Sequence, residues 1–108
     1  MPWYTRVGDV AGLTGPLVQD ATSNLYGTAI EGGANTGCSG GNGCGVVFKL
    51  DTSGTETVLH NFAGKTDGNY PYGVTIDPTG NLYGTATSGG DTACNPPLGC
   101  GTVFKLSP

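Results

Sequence analysis

Four cysteines are the residues of this 108-residue chain with the clearest chemistry. They fall as two C-x5-C pairs, Cys38/Cys44 and Cys94/Cys100, each in a Gly- or Pro-rich loop just before an apolar run. Zinc takes thiolate ligands, but its pairs show tighter C-x2–4-C spacing and often a histidine nearby. The only histidine, His60, lies far along the chain from both pairs. The preferred reading is a local disulfide in each loop, with zinc and free thiols as the alternatives, so no metal is assigned. Disulfides imply an oxidising compartment: secreted, surface or periplasmic. Loops this short stabilise folding by roughly 2 kcal/mol each.

A second candidate group is Asp67, Asn69, Tyr70 and Tyr72. Aromatic rings beside carboxylate and amide groups suit sugar binding, because stacking supplies area and the polar groups fix orientation. The competing reading is that Asp67-Gly68-Asn69 is turn chemistry and the tyrosines pack between neighbouring elements. Asp20 and Asp77 each precede an asparagine, Asn24 and Asn81. Oxygen-rich loops take calcium, but two or three ligands are too few, and side-chain-to-backbone turns account for both aspartates. His60 alternates with Val58 and Phe62 and reads as a packed or surface residue. No G-x-S-x-G or H-E-x-x-H occurs. An Asp67/Asp77 glycosidase pair would depend on a separation that sequence does not give. The expectation is a protein that is not an enzyme and carries no cofactor.

The elements that hold these residues are written twice. NLYGTA at 24–29 returns at 81–86, and CGVVFKL at 44–50 returns as CGTVFKL at 100–106. Repeats of this length are supersecondary units that cannot bury their own apolar face. Each unit reads as short strands separated by turn signals: 16–20, 24–30, 45–50 and 56–62, then 73–77, 81–87 and 101–106. The segment 63–72 reads as a loop. No stretch holds a 3.6-residue apolar period, so the fold is all-β. Phe48, Phe104, Tyr26 and Tyr83 alternate and are expected to pack between units, while Lys49 and Lys105 protect edges or face solvent.

Four short antiparallel strands per unit describe the blade of a β-propeller. GVTIDPTGNLYGTA resembles the inner two strands of NHL-like blades. NLYGTA, a Gly-rich loop, GTVFKL, LHNF, DGNYPYGV and DPTGNLYGT together resemble the GloVer tandem repeat of bacterial surface and secreted proteins, over about residues 17–108. That resemblance implies the blade fold and an extracellular setting rather than an activity. The net charge of −4, with only four basic residues, argues against nucleic acid or an anionic membrane surface as a partner. No apolar run reaches 18 residues, so membrane insertion is not expected, and the N-terminus shows no secretory signal pattern.

Counted from inner to outer strand, the chain runs through one complete blade and three strands of another. The expected organisation is an N-terminal strand and loop (1–15), a first blade (16–72) and a second blade lacking its outer strand (73–108). Trp3, Tyr4, Thr5, Arg6 and Val7 read as that outer strand displaced to the front. Two blades cannot close a ring, since propellers have about 4–8. The N-terminal strand of one chain is therefore expected to complete the last blade of a neighbour, along the edge Val103, Phe104, Lys105 and Leu106. Such head-to-tail contacts close into rings or propagate as filaments. The alternatives are a fragment of a longer repeat protein and an isolated monomer. The expected partner is the chain itself; a lectin-like module binding carbohydrate on the loop face is the rival reading.

Overall fold

The computed structural model describes residues 10–33, 35, 43–64, 68–90 and 99–107. Seven strands form there: β1 (Val10–Gln19), β2 (Leu25–Gly32), β3 (Val46–Leu50), β4 (Glu56–Asn61), β5 (Asn69–Ile76), β6 (Leu82–Ser88) and β7 (Thr102–Leu106). They build two antiparallel meanders, a four-stranded sheet in the order β1-β2-β3-β4 and a three-stranded sheet in the order β5-β6-β7. The all-β expectation and the strand order hold. No helix among the described residues is long and apolar enough to cross a membrane.

Two boundaries differ from the sequence reading. β1 begins at Val10, inside the segment assigned to the N-terminal strand and loop, and β5 begins at Asn69, inside the segment read as loop. Both strands are longer than expected because each contains a register irregularity, between Thr14 and Val18 in β1 and between Pro71 and Val74 in β5. A bulge inserts an unpaired residue and breaks the two-residue alternation that marks a strand in sequence. Pro71 is tolerated because β5 is an edge strand, where a missing backbone donor is not missed.

The repeated sequence produces repeated registers. Tyr26 pairs with Lys49 and Gly27 with Phe48; one unit later Tyr83 pairs with Lys105 and Gly84 with Phe104. Alternation then gives each sheet two faces. One carries Leu25, Gly27, Ala29, Val46 and Phe48 in the first sheet and Leu82, Gly84, Ala86, Thr102 and Phe104 in the second. The other carries Tyr26, Thr28, Val47 and Lys49, then Tyr83, Thr85, Val103 and Lys105.

The sheets pack in the same sense, unlike face against unlike face. The main core joins Tyr26, Val47 and Phe62 of the first sheet to Val74, Leu82 and Ala86 of the second, with Phe104 and Leu106 packed against them. The Phe62 and Phe104 rings meet edge-to-face, 5.2 Å apart at 66°, an arrangement aromatic quadrupoles favour. Ala29, Val46, Phe48 and Val58 form a second cluster on the other side of the first sheet.

At the inner strands the contact is polar and close. Thr14 Oγ1 donates to the Pro71 carbonyl (2.9 Å), and Thr28 Oγ1 accepts the Gly73 N–H (2.6 Å) while donating to the Thr14 carbonyl (3.0 Å). The two threonines thus hold the β5 bulge. Gly15 must lack a side chain here, since a Cβ would lie 2.7 Å from Gly73 Cα.

Candidate functional site

The repeated aspartates are turn-formers. Asp20 Oδ1 accepts from the Thr22 N–H (2.9 Å), the Thr22 hydroxyl (2.9 Å) and the Asn24 N–H (3.0 Å). Its Oδ2 accepts from Asn24 Nδ2 (3.0 Å) and the Tyr26 hydroxyl (2.7 Å). Asp77 repeats all five bonds with Thr79, Asn81 and Tyr83. Asp51 builds a shorter version with Ser53 and Thr55. The turn expectation is met, and it closes three of the β-meander connections by one device.

This bonding sets the electrostatics. The Tyr26 hydroxyl, with Asn24 and Thr22, holds the Asp20 carboxyl well below the ordinary carboxylate range against the opposing effect of burial. At Asp77 burial pushes up, but the hydrogen bonds from Thr79, Asn81 and Tyr83 together outweigh it and the net shift is downward. The Tyr26 phenol is pushed up to about 12, by burial first and then by its bond to Asp20. A cleft of about 310 Å³ runs between the Asp20 and Asp77 turns. Its carboxylates are ionised and already saturated with donors, so they suit neither proton donation to a substrate nor an additional ligand.

The four residues expected to bind a ligand are differently placed. Asn69 is buried at the start of β5, whereas Tyr72 is exposed. Tyr70 adopts a positive φ of 56°, and its N–H donates to the Cys44 carbonyl (3.1 Å), tying β5 to the cysteine-bearing connection. Asp67 lies outside the described residues. Tyr72 instead borders an open recess of about 240 Å³ with Pro16, Thr75, Tyr83 and Thr85. Tyr83 and Thr85 were not distinguishable as site residues in the sequence.

Cys44 and Cys100 are each disulfide-bonded; the cysteines expected to pair with them, Cys38 and Cys94, lie outside the described residues. Cys44 is buried and Cys100 exposed. Trp3, Tyr4, Thr5, Arg6 and Val7 also lie outside the described residues.

The remaining predicted group is the outer strand of the second sheet. Among the described residues β7 pairs with β6, where the matching strand β3 pairs with both β2 and β4. Among the described residues Val103 is the most exposed large apolar residue, at 81%. Phe104 and Leu106 turn inward against the core, and the Lys105 ammonium sits 5.9 Å from the centre of the Tyr83 ring. The expectation that Tyr83 packs between units is not met: it is exposed, while its copy Tyr26 is buried. The two tyrosines occupy equivalent positions, but among the described residues only the first sheet has another sheet against that face.

Among known proteins, no family model, no curated protein and no solved structure matches the chain.

Proposed function

We propose that this chain is a non-enzymatic, extracellular structural module built from β-propeller blades of the GloVer type, which assembles head-to-tail by strand exchange. One observation carries the reading: among the described residues the second sheet ends at β7, where the first sheet has β4. An unpaired strand edge is a template for another strand. The N-terminal segment Trp3–Val7 of a neighbouring chain supplies it, with backbone hydrogen bonds giving affinity and alternate side chains giving register. Repetition of that contact yields a ring or a filament. Disulfide bonding of Cys44 and Cys100 supports an oxidising setting.

The test is light scattering on the full chain and on a chain lacking residues 1–8. Assembly of the full chain that is lost on truncation is the expected result; a folded, monomeric full chain defeats the reading. A lectin-like role is the second reading, and the exposed Tyr72 ring is what favours it. A glycan array showing binding that disappears in Tyr72→Ala would promote it.

A further inference from the structure

Among the described residues the two sheets make one interface, and counterparts of residues from each of its halves are exposed, although Ala29, Val46 and Phe48 on the first sheet's outer side are already buried. In the internal interface, the first sheet offers Tyr26, Thr28 and Val47, which are 4%, 1% and 0% exposed. The copies of these residues in the second sheet are Tyr83, Thr85 and Val103, and all three are exposed. The second sheet in turn offers its β5 bulge, where Pro71 is fully buried and Val74 is 4% exposed. Register makes Leu13 and Leu17 their counterparts in β1: Leu13 pairs with Ala29 as Pro71 pairs with Ala86, and Leu17 lies over Gly27 as Val74 lies opposite Gly84. Leu13 is 60% and Leu17 52% exposed.

We propose that the chain associates with a second copy of itself by repeating its internal sheet packing: the β1 bulge of one copy seats on the exposed Tyr83–Thr85–Val103 face of the other. This rests on the head-to-tail reading above and names the surfaces that reading uses beyond the strand edge. The chemistry of each half is already matched to its mate. Thr85 stands where Thr28 accepts the N–H of Gly73, and Gly15 holds in β1 the place of Gly73 in β5. Leu13 and Leu17 bring aliphatic surface to the Tyr83 ring and Val103, as Pro71 and Val74 bring it to Tyr26 and Val47. Two different patches are used, so the contact is heterologous and every added copy exposes a fresh pair of halves.

The experiment uses full-length chains in sedimentation velocity. Leu17→Glu spoils the bulge and Thr85→Arg spoils the face; both positions are exposed, and each variant is checked for an unchanged circular dichroism spectrum and melting midpoint. Each is expected to weaken self-association more than about tenfold, the loss expected when charge enters a desolvated contact. A 1:1 mixture is expected to form dimers and nothing larger, because the Leu17→Glu chain keeps an intact face and the Thr85→Arg chain an intact bulge. A misfolded variant cannot give that rescue. Association of both variants at wild-type strength overturns the proposal, as does a full chain that stays monomeric. Thr5→Pro, which blocks pairing of the N-terminal strand, separates the two readings. Loss of assembly in Thr5→Pro alone keeps strand exchange and overturns face packing. Loss in Leu17→Glu and Thr85→Arg alone keeps face packing and overturns strand exchange.

Discussion

Tyr26 and Tyr83 come from repeated copies of one hexapeptide, pair with equivalent lysines (Lys49 and Lys105) and donate to equivalent aspartates (Asp20 and Asp77), yet one is buried and the other exposed. Val47 and Val103 repeat the contrast more sharply, at 0% and 81%. Identical residues in identical local geometry therefore differ only in what lies against them. In this architecture a sheet specifies its own strands and turns, but its burial is conferred by the next sheet. The apolar area left on the second sheet is the part of the hydrophobic driving force, about 25 cal/mol per Å², that one chain has not used.

The sharpest way to break this comparison is to place a carboxylate at each valine. Val47→Asp buries an unpaired charge between the sheets and is expected to cost more than about 4 kcal/mol in urea denaturation, enough to abolish folding of a marginal domain. Val103→Asp, at dilutions where the chain is monomeric, is expected to change stability by less than about 0.5 kcal/mol. An equal penalty at the two sites would mean that Val103 is covered in solution and that the two sheets are not in different situations.

The next test concerns the glycines where the sheets touch. Gly15→Ala is expected to cost about 2–3 kcal/mol, combining the left-handed backbone (φ 69°) with a Cβ driven to 2.7 Å from Gly73 Cα. At Gly73 the same substitution meets only ordinary contact, with Pro16 Cδ at 3.5 Å. Gly73→Ala therefore carries the backbone penalty alone, about 1–2 kcal/mol. Equal losses would show that the inner strands do not approach as closely as Thr14, Thr28 and the β5 bulge indicate.

These asymmetries explain what could be read from the residues alone. The strands were legible because Val47, Phe48 and Lys49 or Thr85, Ala86 and Thr87 alternate in burial partner, and because D-x-T-x-N is a turn with a mechanism. Val10–Thr14 and Asn69–Tyr72 were not, since bulges and glycines erase the alternation there. The exposed face was also illegible, for a different reason. Tyr83 carries no local mark that separates it from Tyr26; what separates them is that, among the described residues, only Tyr26 has a sheet against its face. Within the ligand group, Asn69 and Tyr72 stand three residues apart on one strand, so alternation turns one inward and the other outward.

The smallest expected difference lies in the two aspartate turns, and pH reads it. Asp20 and Asp77 both titrate below their ordinary value in the folded chain. A carboxylate with a depressed folded pKa favours folding above its unfolded value, near pH 4, and that contribution is lost as pH falls below it. Both turns should therefore weaken on acidification, seen as a falling melting midpoint below about pH 4. The tyrosines work at the other end. Tyr26 holds its proton to about pH 12, so its contribution is complete below about pH 10, the unfolded value, and is lost as pH rises toward 12. Tyr83 is also raised, but its leading cause is the bond to Asp77 rather than burial. Tyr26→Phe should then cost about 1 kcal/mol, since it removes a buried hydroxyl's hydrogen bond to Asp20. Tyr83→Phe should cost less, because water replaces the lost hydroxyl at an exposed turn. Ultraviolet titration of the two variants assigns the phenols directly. If the Tyr83→Phe chain loses the most alkaline transition, Tyr83 is the covered ring in solution, and the face proposed for a second copy is already occupied.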